Sequence, residues 1–401
     1  MPRSLESGTI PSGRLTLTAL LYGCRYFSWA RKRIAHGSPM THLIRIPGPL
    51  DPHVHLRGMD WAHKGTFASE TAAALAGGYW AVFDMPNTPP ATVDAAALDA
   101  KLDAIGAEAV CDWGVFFGAS QLDNTAAYAQ VAGRVCGLKM YNNATTGALL
   151  IQDQAMRARR YAAWPGDRPI AVHAEEETVA EILALVRQYR RPTHFCHISA
   201  ASEIALLRAA KAEGLPVTVG VTPHHLFLTQ DDVSALGALG RMKPELKTKA
   251  DQRALWDAIH SGVVDVIESD HAPHTLAEKA SARPPSGVPG LETTLPLLGA
   301  AVREGRLAVE RLVELTALRP QAIFGVRADA GTYTAVDLDA SFVIERASLR
   351  TQCGWSPFEG MRVAGKVREV WIRGRKVFDG EQVLAAPGSG VNLFDAKGRT
   401  A

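Results

Sequence analysis

Six side chains in this 401-residue sequence have the types and setting to hold metal ions: His53, His55, Lys139, His173, His197 and Asp270. His53 and His55 stand one residue apart in DPHVHLR (51–57), behind the short apolar run Leu43-Ile44-Arg45-Ile46. Side chains alternate along a strand, so a strand turns both imidazoles to one face, where they can share an ion; a helix would splay them apart. Arg57, two residues on, looks into the same cavity if the strand persists. A histidine-rich turn would read the same, so the motif needs company from elsewhere in the chain. His173 (in VHAEEET), His197 (in CHISAASEI), Lys139 (in GLKMYNNAT) and Asp270 (in SDHAPHT) supply it. Imidazoles and a carboxylate, with no thiolate, suit Zn2+ or a similar divalent ion. The lysine is the odd member. An ammonium is repelled by a metal, but carboxylation by CO2 turns it into a carbamate anion that can bridge two metals.

Taken singly, each has a plainer reading. A lone strand-end histidine commonly hydrogen-bonds within the protein, a lone lysine reaches solvent or a carbonyl, and a lone aspartate caps a helix. Their joint placement is what matters, and it depends on the elements that carry them. Apolar strand-like segments near 52–56, 79–84, 110–117, 135–140, 169–173, 193–197, 216–221 and 263–269 alternate with alanine-rich amphipathic ones near 66–77, 92–105, 123–132, 150–160, 176–188, 200–213 and 251–261. Helices near 291–304 and 308–317 follow. This alternation predicts an α/β fold, a (β/α)8 TIM-like barrel. An open doubly wound sheet is the alternative, but no GxGxxG follows the first strand. A barrel gathers chemistry at the C-terminal ends of its strands. His53 and His55 end the first, Asp84-Met85-Pro86-Asn87-Thr88 the second, Lys139 the fourth, His173 the fifth, His197 the sixth and Asp270 the eighth.

The expected organisation is an N-terminal extension over 1–39, a barrel over 40–334, and a small β-rich appendage with a tail over 335–401, formed mainly by the C-terminal segment. Alternation in Ser341–Glu345 and Lys366–Ile372 suggests the appendage strands. Residues 1–39 hold six Lys/Arg and one acid, unlike the rest. Their basic residues follow the apolar run, the wrong order for a signal peptide. An upstream extension with Met40 as the true start is the preferred reading. The net charge of +2 leaves the body of the chain without the basic excess that nucleic acid would require. No apolar stretch approaches the ~20 residues of a membrane helix. Five scattered cysteines without a CxxC pair read as reduced thiols in a cytoplasmic protein.

The motifs DPHVHLR, HKGTFASETAAALAGG, MPNT, GLKMYNNAT, VHAEEET, CHISAASEI, TPHHLFL, MKPELK, SDHAPHT, GVPGLETTLPLL and WSPFEGM resemble the amidohydrolase superfamily, and within it the dihydroorotases, from about Leu43 to Leu384. The pattern is most similar to the dihydroorotase domain of the multifunctional animal pyrimidine-synthesis protein. The resemblance implies zinc-dependent, reversible cyclisation of N-carbamoyl-L-aspartate to L-dihydroorotate. It implies that His53, His55 and Asp270 hold one zinc, that His173 and His197 hold a second, and that carboxylated Lys139 bridges them. Asp270 would also be the catalytic acid/base. Arg57, Asn87 and His274 would grip the substrate carboxylate. Thr145, in a loop over 142–146, would contact the transition state, and Lys243, Pro289 and Gly290 would contact the ring. A homodimer is the expected assembly, and the resemblance leaves room for an aspartate transcarbamoylase partner.

Three positions depart from the pattern. Gly58-Met59-Asp60-Trp61 follows Arg57 in place of Glu/Asp-Pro-Gly, Thr146 stands where Phe is frequent, and Gly220 where an acid is common. His224 and His225 are given no metal role. The rival readings are another cyclic amidase, such as allantoinase or dihydropyrimidinase, and a non-catalytic partner of aspartate transcarbamoylase. The intact ligand set argues against the second.

Overall fold

From Leu50 onward, short apolar segments pair in parallel, each with its sequence neighbour. The structure, a computed structural model, describes residues 43–145 and 149–395. The expected extension over 1–39 and the Thr146 position lie outside them. A first strand, β1 (Leu43–Ile46), precedes the barrel. The barrel strands are β2 (Leu50–Val54), β3 (Ala81–Asp84), β4 (Asp112–Gly118), β5 (Gly137–Tyr141), β6 (Ile170–His173), β7 (Thr193–Phe195), β8 (Val217–Val221) and β9 (Val266–Ile267), in that spatial order. Nearly all their residues are buried, as expected of parallel strands covered on both faces. A bridge between Val54 and His271 closes the ring, and His55 N donates to the His271 carbonyl at 2.7 Å.

Helices Phe67–Ala76, Ala95–Glu108, Gln154–Ala163, Glu177–Tyr189, Ala201–Ala212, Lys249–His260 and Leu291–Arg303 follow β2, β3, β5, β6, β7, β8 and β9. Side chains of Thr66, Asp94, Asp153 and Thr248 accept from the third helical N–H, satisfying otherwise unpaired donors. Two expectations differ. The stretch 123–132 is a chain of short turns around Tyr128–Val131, because Asn124 turns its side chain back to the Val93 and Gly118 carbonyls. Helix Val309–Val313 widens into a π turn over Glu314–Leu318. A short helix, Pro223–Phe227, was not anticipated.

The remaining strands, β10 (Tyr333–Val343), β11 (Arg362–Ile372) and β12 (Arg375–Phe378), form an antiparallel sheet in the order β1-β10-β11-β12. The chain therefore enters through this sheet and crosses to the barrel at Gly48, whose φ of 57° and close approach to Ala328 suit glycine alone. Among the described residues, no helix is long and apolar enough to cross a membrane. Cys111, Cys136, Cys196 and Cys353 are buried free thiols.

One buried ion pair ties the outer layer to the end of β3 and, through it, to the end of β2. Lys101, in Ala95–Glu108, is fully buried, with Nζ 2.5 Å from Asp84 Oδ2 and donating to the Met85 carbonyl at 2.7 Å. Asp84 Oδ1 in turn accepts from Leu56 N at 2.7 Å, fixing the backbone between His55 and Arg57. Lys101→Met strands a buried carboxylate, so unfolding in urea should show a loss of about 3–5 kcal/mol. An unchanged midpoint and slope would refute the pair's role.

Candidate active site

His53 lies within β2, and His55 follows it. The strand ends at Val54, so the persistence that would aim Arg57 inward does not occur. Arg57 instead takes a left-handed φ of 64° and still reaches the cavity. Its Nε donates to the Pro273 carbonyl at 3.0 Å, and its guanidinium lies 5.2 Å over the Trp61 ring. These contacts fix the direction of the fork.

The cavity at the barrel mouth is an open cleft with about 370 Å3 of empty space, part of it open to solvent. His53, His55, Arg57, Asn87, Thr145, His173, His197, Lys243 and Asp270 line it, with Tyr141, Ala272, Ser286 and Gly287. Lys139 is fully buried close by. Pro289 and Gly290, expected to offer backbone groups to the substrate ring, line a smaller cavity of about 180 Å3 with His271 and Trp355. The cause is tertiary: Val288 bridges to His271, and Gly290 N donates to His271 Nδ1 at 3.1 Å, which fixes the course of the chain after Gly287. Ser286 and Gly287 line the main cavity. His274 is also absent from the lining. Its Nε2 stands 3.1 Å from both Arg57 Nη2 and the Ser286 carbonyl, and its Nδ1 3.3 Å from Lys64 Nζ. Burial and the neighbouring charges of Arg57 and Lys64 push its pKa far down, keeping it neutral.

The four cavity histidines cluster tightly. Ring centroids are 4.5 Å apart for His173 and His197, 5.1 Å for His53 and His197, and 5.6 Å for His53 and His55. His53 Nε2 and His55 Nε2 each lie 3.3 Å from the same Asp270 oxygen, Oδ1. Burial pushes His55 down to about 4, and also lowers His173 and, more strongly, His197. Neutral imidazoles keep the lone pair a metal needs. Burial alone would raise the Asp270 carboxylate, but His53 and His55 outweigh it and hold it well below the usual range.

These residues fit metal ions. His197 Nδ1 is buried and has no hydrogen-bond partner among the described residues, although buried polar atoms are as a rule paired. Lys139 is buried with Nζ against Cys196 Sγ at 3.3 Å, and no carboxylate pairs with it among the described residues. An uncompensated ammonium there is costly, whereas a carbamate among neutral imidazoles and metals is not.

A second donor layer lies beneath, and it was not anticipated. His53, Cys196 and Glu268 offer ligand atoms within 4.8 Å of one another, as do His53, His55 and Asp270. The expected thiolate-free set thus has a thiol beside it. Burial pushes that thiol up to about 12, so it stays protonated. Asp51, two residues before His53, accepts from Ser269 N at 3.1 Å and from His53 N at 3.1 Å. Asp51 and Glu268 stand two residues before His53 and Asp270, so the period-two rule could have found both. His225 bonds Thr222 Oγ1 at 2.7 Å and the Pro244 carbonyl at 3.2 Å, and neither it nor His224 lines the cavity.

The family model described as "Amidohydrolase family" matches residues 44–377. The chain belongs to the amidohydrolase family. This amidohydrolase is 45% identical over 354 residues to the multifunctional protein CAD of Squalus acanthias, covering 88% of this chain but only 16% of that protein's length. It is 35% identical to the dihydroorotase of Halobacterium salinarum, covering 86% of this chain and 89% of the relative. Among solved structures, the L-hydantoinase (dihydropyrimidinase) of Arthrobacter aurescens superimposes with a TM-score of 0.82 at 24% identity, covering 87% of this chain and 88% of that one. That likeness concerns the fold.

Proposed function

We propose that this amidohydrolase is a dihydroorotase, which interconverts N-carbamoyl-L-aspartate and L-dihydroorotate in pyrimidine biosynthesis. The observation that carries the reading is Arg57. A buried guanidinium, aimed by Pro273 and Trp61, faces a cavity lined by metal-ligand types. Dihydroorotate bears a carboxylate that matches this fork, whereas hydantoins and dihydrouracil bear none at that place. Dihydroorotase relatives spanning most of their length support the same choice.

In this proposal His53, His55 and Asp270 hold one zinc, His173 and His197 hold a second, and carboxylated Lys139 joins them. Zinc, when bound, supplies Lewis acidity and lowers the pKa of water toward ~7. The protein does the rest. Arg57 and Asn87 take the substrate carboxylate, and His274 bears on it from behind Arg57. Thr145 and Lys243 close the wall of the cavity. In the hydrolytic direction water adds to the ring amide carbonyl and the amide C–N bond breaks. Asp270 accepts the water proton and delivers it to the departing nitrogen. Its depressed pKa keeps it ionised at neutral pH, with oxygens free to accept a proton. The same reading carries a cytoplasmic location, a homodimer and an aspartate transcarbamoylase partner, on the strength of the resemblance to the multifunctional protein.

Arg57→Ala should raise KM for dihydroorotate about 100-fold, the worth of two charge-assisted hydrogen bonds at ~1.5 kcal/mol each. Bound zinc should not change. Steady-state kinetics with metal analysis checks this, and an unaltered KM would refute the carboxylate clamp.

A further inference from the structure

We propose that Glu268 is a positioning residue for the metal centre, and that glycine at 220 is the condition for its presence. The proposal rests on the metal reading above. Glu268 follows β9 and is fully buried. Its Oε1 accepts from His197 N at 2.7 Å and stands 3.5 Å from His53 Nδ1. Its Oε2 meets His194 Nε2 at 3.0 Å, and His194 Nδ1 lies 2.9 Å from Thr218 Oγ1. One carboxylate therefore accepts a hydrogen bond from His197 and faces the otherwise unbonded Nδ1 of His53, two proposed ligands from different sides of the barrel.

Each contact has a stated effect. On His53, a carboxylate facing Nδ1 favours the tautomer with hydrogen there, leaving the Nε2 lone pair toward Asp270 and the ion. His197 has a φ of 38°, a left-handed conformation unfavourable for a side-chain-bearing residue. The bond from its N–H to Glu268 holds the backbone there and so aims the ring.

Gly220, in β8, explains the geometry from the other side. A Cβ on Gly220 would lie 2.4 Å from Glu268 Oε1 and 2.6 Å from its Cδ. A side chain at 220 would force the Glu268 carboxylate out of the place it occupies. Gly220 is also a position where this sequence departs from the acid-bearing pattern it resembles. The carboxylate beneath the ligands thus comes from the strand carrying Asp270, across a glycine on the adjacent strand.

The test uses the full chain stripped of metal and titrated with zinc against a chromophoric chelator, with kinetics at saturating zinc. Glu268→Gln, which keeps the shape, and Glu268→Ala should each weaken zinc about 10–100-fold, the usual effect of losing an outer-shell partner. At saturating zinc, kcat should fall with KM little changed. Gly220→Ala should weaken zinc by itself yet cost nothing further beside Glu268→Ala, because the clash is gone. Gly220→Asp with Glu268→Ala returns a carboxylate to the same space and should recover at least about tenfold in zinc affinity, which a purely structural role would not predict. Wild-type affinity in Glu268→Gln, or additive effects at 220 and 268, would overturn the proposal. So would the loss of one whole zinc equivalent in Glu268→Gln with the other affinities intact, since Glu268 would then be a ligand beside Cys196. A wild-type chain that binds no zinc would instead sink the metal reading, and this inference with it.

Discussion

Lys139→Ala is expected to reduce turnover to background and to abolish tight binding of the second zinc. The side chain is fully buried, and its Nζ meets only a protonated thiol and the face of Tyr141, 5.1 Å away, among the described residues. No carboxylate balances it there. Burying a charge without a partner is costly, so a lysine kept for stability alone would be better replaced by an apolar side chain. Lys139→Met therefore separates two explanations. It keeps the stem and should preserve the thermal midpoint, yet should be as inactive as Lys139→Ala. A bridging carbamate also makes reconstitution depend on CO2. Metal-free protein given zinc in CO2-depleted buffer should recover activity slowly, and added bicarbonate should restore the rate. Full activity with two zinc ions in Lys139→Ala would refute the bridging assignment.

The second large effect is at Asp270. Asp270→Asn should lower kcat about 10²–10⁴-fold, the range for removing a positioned acid/base, in addition to any loss of metal. The group sits where both tasks meet, its Oδ1 3.3 Å from His53 Nε2 and from His55 Nε2. Its φ of 46° places it off the regular strand path, a strain compatible with a residue held for function. The sign of the pH effect follows from its depressed pKa. The carboxylate stays ionised well into acid, so activity limited by this base should persist below pH 5 until zinc or fold is lost. Zinc content measured beside kcat separates the roles. An Asp270→Asn enzyme with wild-type kcat at full zinc would contradict the proton-transfer assignment.

The barrel was legible because its alternation is carried by local composition. The end of Ile170–His173 named His173 directly, whereas Lys139, expected at a strand end, stands in the middle of Gly137–Tyr141. What escaped were the groups one layer down. Glu268 reads as an acid within an apolar strand, and its partners come from two other strands, His53 from β2 and His194 and His197 from β7 and its end. Cys196 was hidden by its neighbour His197. Pro289 and Gly290 line the smaller cavity, held there by the Val288–His271 bridge, a tertiary contact with no local signal. The stretch 123–132 failed for the opposite reason: Asn124 spends its side chain on distant carbonyls, and local periodicity cannot see that. Arg57 is the instructive middle case. Its place at the cavity was foreseen, but it gets there through a left-handed turn held by Asp84, not through an extended strand.

The central claim is the pairing of a carbamate-bridged metal centre with a carboxylate-reading arginine. It is tested most directly by assaying the purified, zinc-loaded chain side by side on L-dihydroorotate, dihydrouracil, hydantoin and allantoin. Turnover of dihydroorotate, with the neutral rings at background, is the expected result. Turnover of any neutral ring with dihydroorotate untouched would contradict it.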